Sequence, residues 1–264
     1  MSTRLEKTLA DLRAAGKKGL FIYITAGAPS KEASLDAICR AEEAGADVIE
    51  LGIPFSDPLA DGPVIQAASV AAIRGGMTLE GALDMVRDLR QRTEIPIIGM
   101  GYINIMLNYG FDRLVQDASE AGMDGLILPD VPHEESAELH KTCAAHDFHL
   151  VEFVTPGTTP ERMKKILSSA NGFIYCVSNN GVTGVKKIDY GPIGEVAAKA
   201  REFTDVPLAV GFGIGSPEAA VEAAAQADAV IVGSAVVKRL MDGQQEEAMR
   251  LIRDMRRALD AAYA

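Results

Sequence analysis

Apolar residues along the chain fall into short unbroken runs that alternate with longer stretches of helical spacing. Eight runs bounded by turn residues begin near Leu20, Asp47, Pro96, Asp124, His149, Gly172, Pro207 and Asp228. Within them apolar residues are consecutive, as in Leu126-Ile127-Leu128, and do not alternate with polar ones. Parallel strands that are covered on both faces have this composition. The pattern therefore predicts eight parallel strands with helices between them.

One phrase of sequence recurs, which indicates a repeated β/α unit. A helix end, a turn, an aspartate and a buried strand follow one another at 44–49, 121–126 and 225–230. Eight such units predict one domain over residues 1–264, a single (β/α)8 TIM barrel. A doubly wound open sheet is the alternative. Apolar residues at helical spacing over 3–15 also predict an extra N-terminal helix that could cover one end of the barrel.

The second and sixth predicted strands are each followed by an unusually long stretch of chain before the next strand begins. The loops after these two strands cover residues 52–62 and 177–190. In a barrel the loops after the strands form the face that carries active sites. Glu50 stands at the start of the first of these loops, between Ile49 and Leu51. Burying an ionised carboxylate costs roughly several kcal/mol. Glu50 is therefore either at the open end of its strand or retained for chemistry.

Two further acids follow in the same loop, and each has a structural alternative. Asp57-Pro58 suits a turn, and Asp61 could cap the helix that Pro63 can begin. Glu50, by contrast, has no capping position to fill. The sequence leaves both interpretations of Asp57 and Asp61 open.

Glycines follow the last two predicted strands. Gly211-Phe212-Gly213-Ile214-Gly215-Ser216 follows the seventh, and Gly233-Ser234 precedes a short helical run, 235–240, after the eighth. Close-approaching backbone and a helix N-terminus predict a phosphate site, although a plain tight turn is the alternative. Gly181-Val182-Thr183-Gly184 is either a flexible surface loop or a mobile lid over that site.

Charge and composition exclude several classes of partner. The net charge is −11 and no basic stripe is present, which argues against nucleic acid and anionic membranes as partners. A small phosphorylated substrate remains possible, because backbone amides can bind it. Three widely spaced cysteines indicate a reducing compartment. With no signal-peptide core or membrane-spanning run, we expect a cytoplasmic protein.

Other catalytic groups are missing from the predicted strand ends. The four histidines, His133, His140, His146 and His149, lie on or beside the helix after the fourth strand, and we interpret them as ordinary surface or helix residues. They lack the spread of a catalytic metal site, so no metal is expected. No lysine lies within a predicted strand. Schiff-base and metal-enolate chemistry therefore lack candidates, and acid–base chemistry by carboxylates remains.

These motifs together resemble the tryptophan synthase alpha subunit family, from about Leu20 to Lys238. The most specific match is the stretch from Glu50 to Pro63. Supporting matches are Asp130-Val131-Pro132, Gly181-Val182-Thr183-Gly184, Gly211-Phe212-Gly213-Ile214 and Gly233-Ser234-Ala235. The resemblance implies a (β/α)8 barrel and a lyase of L-tryptophan biosynthesis. Its reaction would be retro-aldol cleavage of indole-3-glycerol phosphate to indole and glyceraldehyde 3-phosphate.

The resemblance also implies roles for individual residues. Glu50 would be the general acid–base, and Asp61 would accept the hydrogen bond of the indole N–H. Tyr23, Tyr175, Phe212 and the lid residue Thr183 match substrate-binding positions. The phosphate binders would be Gly184, Gly213, Gly233 and Ser234, and the partner-facing loop residues would be Asp57 and Pro58. The chain departs from the family at Ala28, where an acid is common, and at Asn179, where a basic residue is common.

A partner is implied as well. Members of the family assemble with a beta subunit, in an α2β2 heterotetramer, and that partner would carry pyridoxal phosphate, since no lysine here has a suitable setting for the cofactor. Three alternatives remain: a stand-alone indole-3-glycerol phosphate lyase, another phosphate-binding barrel enzyme such as an isomerase, and a regulatory subunit without catalysis. The acid loop argues against the isomerase, and the intact acids argue against the regulatory subunit.

Overall fold

The computed structural model describes residues 2–177, 190–211 and 213–263. Within these ranges the strands are β1 (Gly19–Thr25), β2 (Val48–Gly52), β3 (Ile97–Met100), β4 (Gly125–Ile127), β5 (His149–Leu150), β6 (Glu152–Val154), β7 (Ile174–Val177), β8 (Leu208–Gly211) and β9 (Ala229–Val232). The helices are α1 (Arg4–Ala14), α2 (Lys31–Glu43), α3 (Pro63–Arg74), α4 (Leu79–Leu89), α5 (Ile103–Tyr109), α6 (Phe111–Ala121), α7 (Ala137–Ala144), α8 (Pro160–Ser169), α9 (Gly191–Arg201), α10 (Pro217–Ala224), α11 (Ser234–Met241) and α12 (Gln245–Tyr263), with a 3-10 turn at His133–Glu135. All eight predicted strands are present, the fifth as two short pieces.

The strands form one parallel sheet that closes on itself. Its order is β5-β4-β3-β2-β1-β9-β8-β7-β6. Only Val151 separates the two end strands along the chain, and its N–H donates to the carbonyl oxygen of Leu126 at 2.9 Å. Strands β5 and β6 are thus two halves of one bent strand, which pairs with β4 on one side and with β7 on the other. The predicted barrel is confirmed, and the open sheet is wrong.

Strand side chains alternate between the barrel interior and the layer beneath the helices. In β1, Phe21 and Tyr23 belong to the interior cluster, whereas Leu20, Ile22 and Ile24 belong to the cluster that packs under the helices. Successive side chains of a strand point to opposite faces. Because both faces are covered by apolar residues, the strands appear in the sequence as unbroken apolar runs.

Helix α1 covers the end of the barrel at which the strands begin. The Thr3 side chain accepts the N–H of Glu6, and the Glu6 carboxylate accepts the N–H of Thr3 at 2.9 Å, which forms a capping box. Leu5 and Leu9 are buried in the interior cluster. Oγ1 of Thr3 also lies 2.9 Å from Nε2 of His149, where β5 begins. The predicted N-terminal helix and its covering position are confirmed.

Other helices begin and end at the capping and turn residues that the sequence contains. Ser30 caps α2 by accepting the N–H of Ala33 at 3.1 Å, and Gly45 follows that helix with a φ of +105°. Pro63 is the first residue of α3. Among the helices of the described residues, none has the length and apolar content needed to cross a bilayer.

The sequence predicted ordinary surface or helix histidines, but three of the four contact a buried glutamate or are themselves buried. Nδ1 of His133 and Nε2 of His140 lie 2.8 and 2.7 Å from Oε1 of Glu152, whose side chain is only 8% exposed. His149 is buried at the start of β5, whereas His146 is exposed. A helical spacing in the sequence does not show that α7 folds back beside β6. The contact with a buried glutamate was therefore invisible in the sequence.

The aspartates of the recurring phrase have one structural function. An oxygen of Asp124 accepts the N–H of Ile97 at 2.8 Å, and the N–H of Asp124 donates to the carbonyl oxygen of Ile97 at 2.8 Å. The same two bonds join Asp47 to Leu20 and Asp228 to Leu208. Each aspartate thus fastens the amino-terminal end of its own strand to the neighbouring strand.

An arginine pairs with each of these aspartates. Arg90, at the end of α4, lies 3.0 Å from Asp124 and also donates to the carbonyl oxygen of Ile95 at 2.7 Å. The other two pairs are Arg256 with Asp47, at 3.2 Å, and Arg201 with Asp228. The aspartates therefore bind the strands to each other and to the surrounding helices.

Replacing Asp124 by alanine should destabilise the fold by about 3–5 kcal/mol, because the Ile97 N–H and the Arg90 guanidinium lose their partner in a buried site. Asp228→Ala should cost less, since the side chains of Asp228 and Arg201 are 45% and 34% exposed whereas that of Asp124 is 3% exposed. Urea unfolding followed by circular dichroism measures both changes. Equal losses of stability in the two variants would contradict this account.

Candidate active site

Glu50 points into the barrel because of its position in β2. Val48 belongs to the interior cluster, and Ile49 and Leu51 belong to the cluster under the helices. Alternation along the strand therefore directs Glu50 inward. It lies beside Tyr23 of β1 in the sheet register and is 5% exposed. The acid that seemed misplaced in the sequence is thus a buried interior residue.

A pocket at the carboxyl ends of the strands brings most of the predicted site residues together. Polar side chains in its lining are Tyr23, Glu50, Asp61, Tyr175 and Ser234, and two predicted glycines, Gly213 and Gly233, also line it. Its apolar walls include Ile65, Met100, Ile127, Phe153, Ile214 and Ile231. An apolar cleft with a few convergent polar groups is the usual form of a small-molecule site.

The remaining predicted residues lie elsewhere. Those outside the described part of the chain are Thr183, Gly184 and Phe212, together with the family departure at Asn179. Asp57 and Pro58 are in the loop after β2 but do not line the pocket; Asp57 is exposed, whereas Pro58 is buried. Among the described residues no group of three or more potential ligands is arranged to hold a metal ion. A reaction without a metal stays a prediction.

Asp61 enters the pocket from the loop between β2 and α3 and is 8% exposed. The N-cap of α3 is Gly62, and no side chain bonds to the first turn, so the alternative that Asp61 caps this helix is wrong. Gln66 donates to the main-chain carbonyl oxygen of Asp61 at 2.8 Å. Oη of Tyr102 accepts the N–H of Ala60 at 3.1 Å. The acid is therefore held in place by its neighbours and makes no cap.

Burial raises the pKa values of the two acids to different levels. It raises the pKa of Glu50 to about 8, and the negative charge of Asp61 adds to the rise. Burial also raises the pKa of Asp61, to about 6, while the Tyr102 hydroxyl opposes the rise. Near neutral pH the pocket therefore holds a protonated carboxylic acid beside a carboxylate. This is the pairing that separates an acid from a charge stabiliser.

Two tyrosines cross glycines of the neighbouring strands. A Cβ atom at Gly52 would collide with Oη of Tyr23, and one at Gly211 would collide with Oη of Tyr175. Any side chain at either glycine would displace the phenol ring. Phe153 stacks on Tyr175 with ring centroids 5.3 Å apart. The tyrosine rings can therefore form the aromatic surface of the pocket because the neighbouring strands have glycine at these two positions.

Helix α11 begins at the pocket, in the place that the sequence predicted. Gly233 precedes it and provides no side-chain cap, and the helix starts at Ser234. Gly213, in the loop after β8, has a φ of +74°, a conformation that favours glycine. The first N–H groups of a helix have no partners within it, and the helix dipole favours negative charge there. This edge of the pocket can bind an anion without a lysine or arginine.

Tyr102 and Phe153 are pocket or loop residues that the sequence analysis missed. Tyr102 follows β3 by two residues on the active face, and that position was an available signal. Phe153 lies in β6 just after the bend at Val151, and the bend hides its direction in the sequence. Neither residue is an acid or a glycine, and neither belongs to the motifs that carry the family resemblance.

Glu50→Gln should stabilise the fold at pH 8 by about 2–4 kcal/mol, because the wild type must ionise a buried group there and the variant need not. A folded pKa above the unfolded value means that wild-type stability falls as pH rises from 4.5 through about 8. At pH 5 the two proteins should therefore differ little. Thermal unfolding at both pH values measures the effect.

Glu152→Gln is the matched control for a buried strand glutamate. Burial alone raises the pKa of Glu152, but hydrogen bonds from His140 and His133 lower it below its usual value overall. Its ionised form therefore contributes stability above pH 4.5, and this contribution is lost as pH falls. The control should be less stable than the wild type at pH 8. A destabilised Glu50→Gln variant at that pH would contradict the account of Glu50.

Comparison with known proteins identifies the family. Residues 9–262 match the family model described as Tryptophan synthase alpha chain. The tryptophan synthase alpha chain of Roseiflexus sp. is 45% identical over 236 residues, which cover 89% of this chain and 90% of that one. That of Caldanaerobacter subterraneus subsp. tengcongensis is 41% identical over 240 residues, 91% of each chain.

Solved structures agree with the sequence comparison. Tryptophan synthase subunit alpha of Legionella pneumophila superposes with a TM-score of 0.89 at 38% identity, covering 99% of this chain and 100% of that one. A chain of Mycobacterium tuberculosis tryptophan synthase superposes with a TM-score of 0.91 at 32% identity, covering 98% and 99%. The chain therefore belongs to the tryptophan synthase alpha chain family, whose members are lyases that cleave indole-3-glycerol phosphate.

Proposed function

We propose that the chain cleaves indole-3-glycerol phosphate with Glu50 as general acid–base and Asp61 as a fixed negative charge. The observation that carries the proposal is the acid pair, in which a carboxyl group with a pKa of about 8 shares one apolar pocket with a carboxyl group of pKa about 6. A proton donor near neutral pH and a neighbouring anion are what protonation of an aromatic ring carbon requires.

Proton transfers balance through Glu50 alone. Its carboxyl group donates a proton to the indole carbon that bears the glycerol chain, which leaves a positive charge on the ring. The resulting carboxylate then accepts the proton of the adjacent glycerol hydroxyl. As that hydroxyl becomes the aldehyde of glyceraldehyde 3-phosphate, the carbon–carbon bond breaks and its electron pair returns to the ring. Indole is released, and Glu50 is again protonated.

Asp61 would stabilise the ring while it is charged. With a pKa of about 6 it is ionised at neutral pH and can accept the hydrogen bond of the indole N–H. The interaction strengthens as positive charge develops on the ring, so it favours the transition state over the ground state. Tyr23 and Tyr175 would bound the ring with the apolar side chains of the pocket.

The phosphate group would lie at the start of α11. Gly213, Gly233 and Ser234 line the same pocket as the acids, and amide donors at this helix N-terminus suit a dianion. Binding energy gained at the phosphate, which does not react, would fix the indole carbon near Glu50. On the family resemblance alone, we propose that Thr183 belongs to the lid, that Gly184 binds the phosphate and that Phe212 contacts the substrate.

A beta subunit is the proposed partner, in an α2β2 assembly, and pyridoxal phosphate is expected in that partner. Two apolar side chains near the mouth of the barrel support a docking surface. Leu59, in the loop after β2, is 84% exposed, and Leu107 of α5 is 59% exposed. Asp57 is exposed in the same loop as Leu59 and is our proposed contact for signalling between subunits, with its neighbour Pro58 shaping the loop.

The pH profile of indole release by the isolated chain tests the acid pair. For wild type, kcat/KM should rise through about pH 6 as Asp61 ionises and fall through about pH 8 as Glu50 loses its proton. Glu50→Gln should be slower by at least about 100-fold at every pH, since an amide has no proton to transfer. Glu152→Gln, assayed while folded, should keep the wild-type profile. Near-normal cleavage by Glu50→Gln would refute the assignment, and release of no indole by wild type would refute the function.

Asp57→Ala should separate catalysis from partner activation. Because Asp57 is exposed and does not line the pocket, indole release by the isolated variant should stay within about twofold of wild type, as for other surface substitutions. Stimulation by an added beta subunit should fall by about tenfold or more, as expected when a charged interface contact is removed. Equal stimulation of variant and wild type would remove Asp57 from the interface, and absence of stimulation of wild type would favour a stand-alone lyase.

A further inference from the structure

Tyr102 is a buried tyrosine at the mouth of the barrel, in the loop between β3 and α5. It is 2% exposed and is the N-cap residue of α5. Both oxygens of Asp130 lie 3.1 Å from the N–H of Ile103 and so hold the first turn of that helix. The Phe55 ring stacks on the Tyr102 ring with centroids 5.3 Å apart. The phenol is therefore fixed by the loops that follow three different strands.

The hydroxyl group of Tyr102 contacts the loop that carries Asp61. It accepts the N–H of Ala60 at 3.1 Å. A phenol has one hydrogen to donate, and because Ala60 supplies its own in this bond, the hydrogen of Tyr102 stays available for an acceptor near the Asp61 loop. The mutual influence of the two groups agrees with this arrangement: the hydroxyl lowers the pKa of Asp61 against the rise caused by burial, and Asp61 contributes to a raised pKa of Tyr102.

Asp61 has few other constraints. Gln66 binds its main-chain carbonyl oxygen and not its carboxyl group. Within the described part of the chain no side chain other than Tyr102 lowers the pKa of that carboxyl group. Tyr102 is therefore the described side chain whose hydroxyl group favours the ionised form of Asp61.

We propose that Tyr102 is the positioning residue of the acid pair: one hydroxyl group fixes the loop through Ala60 and holds the Asp61 carboxylate, ionised, towards the pocket. The inference rests on the proposed function only for the task of Asp61 as the anion beside the substrate ring. Tyr102 itself takes no proton and touches no reacting atom. Without its hydroxyl group, the Ala60 amide loses its acceptor and the buried carboxylate loses a donor that favours the charged form.

Tyr102→Phe tests the proposal, because it keeps the ring and its stacking on Phe55 and removes only the hydroxyl group. The carboxyl resonance of Asp61, in protein labelled with 13C-aspartate, is assigned by its loss in Asp61→Asn and followed against pH. Its titration midpoint should move up by about one pH unit in Tyr102→Phe, since a donor to the ionised form is gone. An unchanged midpoint in a variant with the wild-type circular dichroism spectrum would overturn the proposal.

Tyr109→Phe is the matched control. Tyr109 is the last residue of α5 and its hydroxyl group donates to Asp117 of α6, so the variant loses a tyrosine–carboxylate hydrogen bond outside the pocket. The Asp61 titration should be unchanged there. A shift in the control as large as that in Tyr102→Phe would assign the effect to general loosening of α5 and refute a specific role of Tyr102.

Kinetics provide a second readout. The acid limb of kcat/KM should move up with the Asp61 titration, and kcat/KM at pH 6 should fall by about tenfold or more, since less of the enzyme is ionised and the carboxylate is less well directed. In an Asp61→Asn background, Tyr102→Phe should change kcat/KM by less than about twofold. If wild type releases no indole, the proposed function fails while the titration still decides the role of Tyr102.

Discussion

Strand β2 carries a carboxyl group into the apolar interior of the barrel, where Oε2 of Glu50 has no hydrogen-bond partner among the described residues. Water solvates a carboxylate far better than such an interior, so burial raises the pKa of Glu50 to about 8. The same desolvation destabilises the fold wherever the group must ionise, and other contacts have to offset it. In return the residue keeps a proton at neutral pH, which an acid in solution cannot do.

The pKa of the second acid, Asp61, is raised less than that of Glu50. Asp61 is also buried, but it lies in a loop and not in a strand, next to Ala60, whose N–H donates to the hydroxyl group of Tyr102 from the loop after β3. Tyr102 opposes the effect of burial and holds the pKa of Asp61 to about 6. Because Asp61 ionises first, its charge further discourages ionisation of Glu50. The same chemical group therefore has two different pKa values, because Glu50 lies in a strand and Asp61 lies in a loop.

Features carried by local periodicity could be predicted from the sequence, and features made by distant contacts could not. Eight apolar runs were enough for the barrel, and a lone acid within the second apolar run was enough to make Glu50 unusual. The bend at Val151, the histidines on Glu152 and the hydroxyl of Tyr102 beside Ala60 each join segments far apart in the chain. Capping by Asp61 was a sound local expectation, but burial in the pocket overrode it.

The barrel places its stability contacts and its candidate chemistry at opposite ends of the same strands. Asp47 precedes β2 and binds Leu20 and Arg256, whereas Glu50, three residues later, points into the pocket. Asp47 is partly exposed and its Oδ2 has two partners, whereas Glu50 is buried and its Oε2 has no hydrogen-bond partner among the described residues. The partners of Asp47 join the sheet to a helix, whereas a buried acid without a partner weakens the fold and can take part in proton transfer. The packed interior separates the two ends of the strands. The free-energy cost of an unpaired acid at one end therefore need not weaken the hydrogen bonds that fix the strand register at the other end.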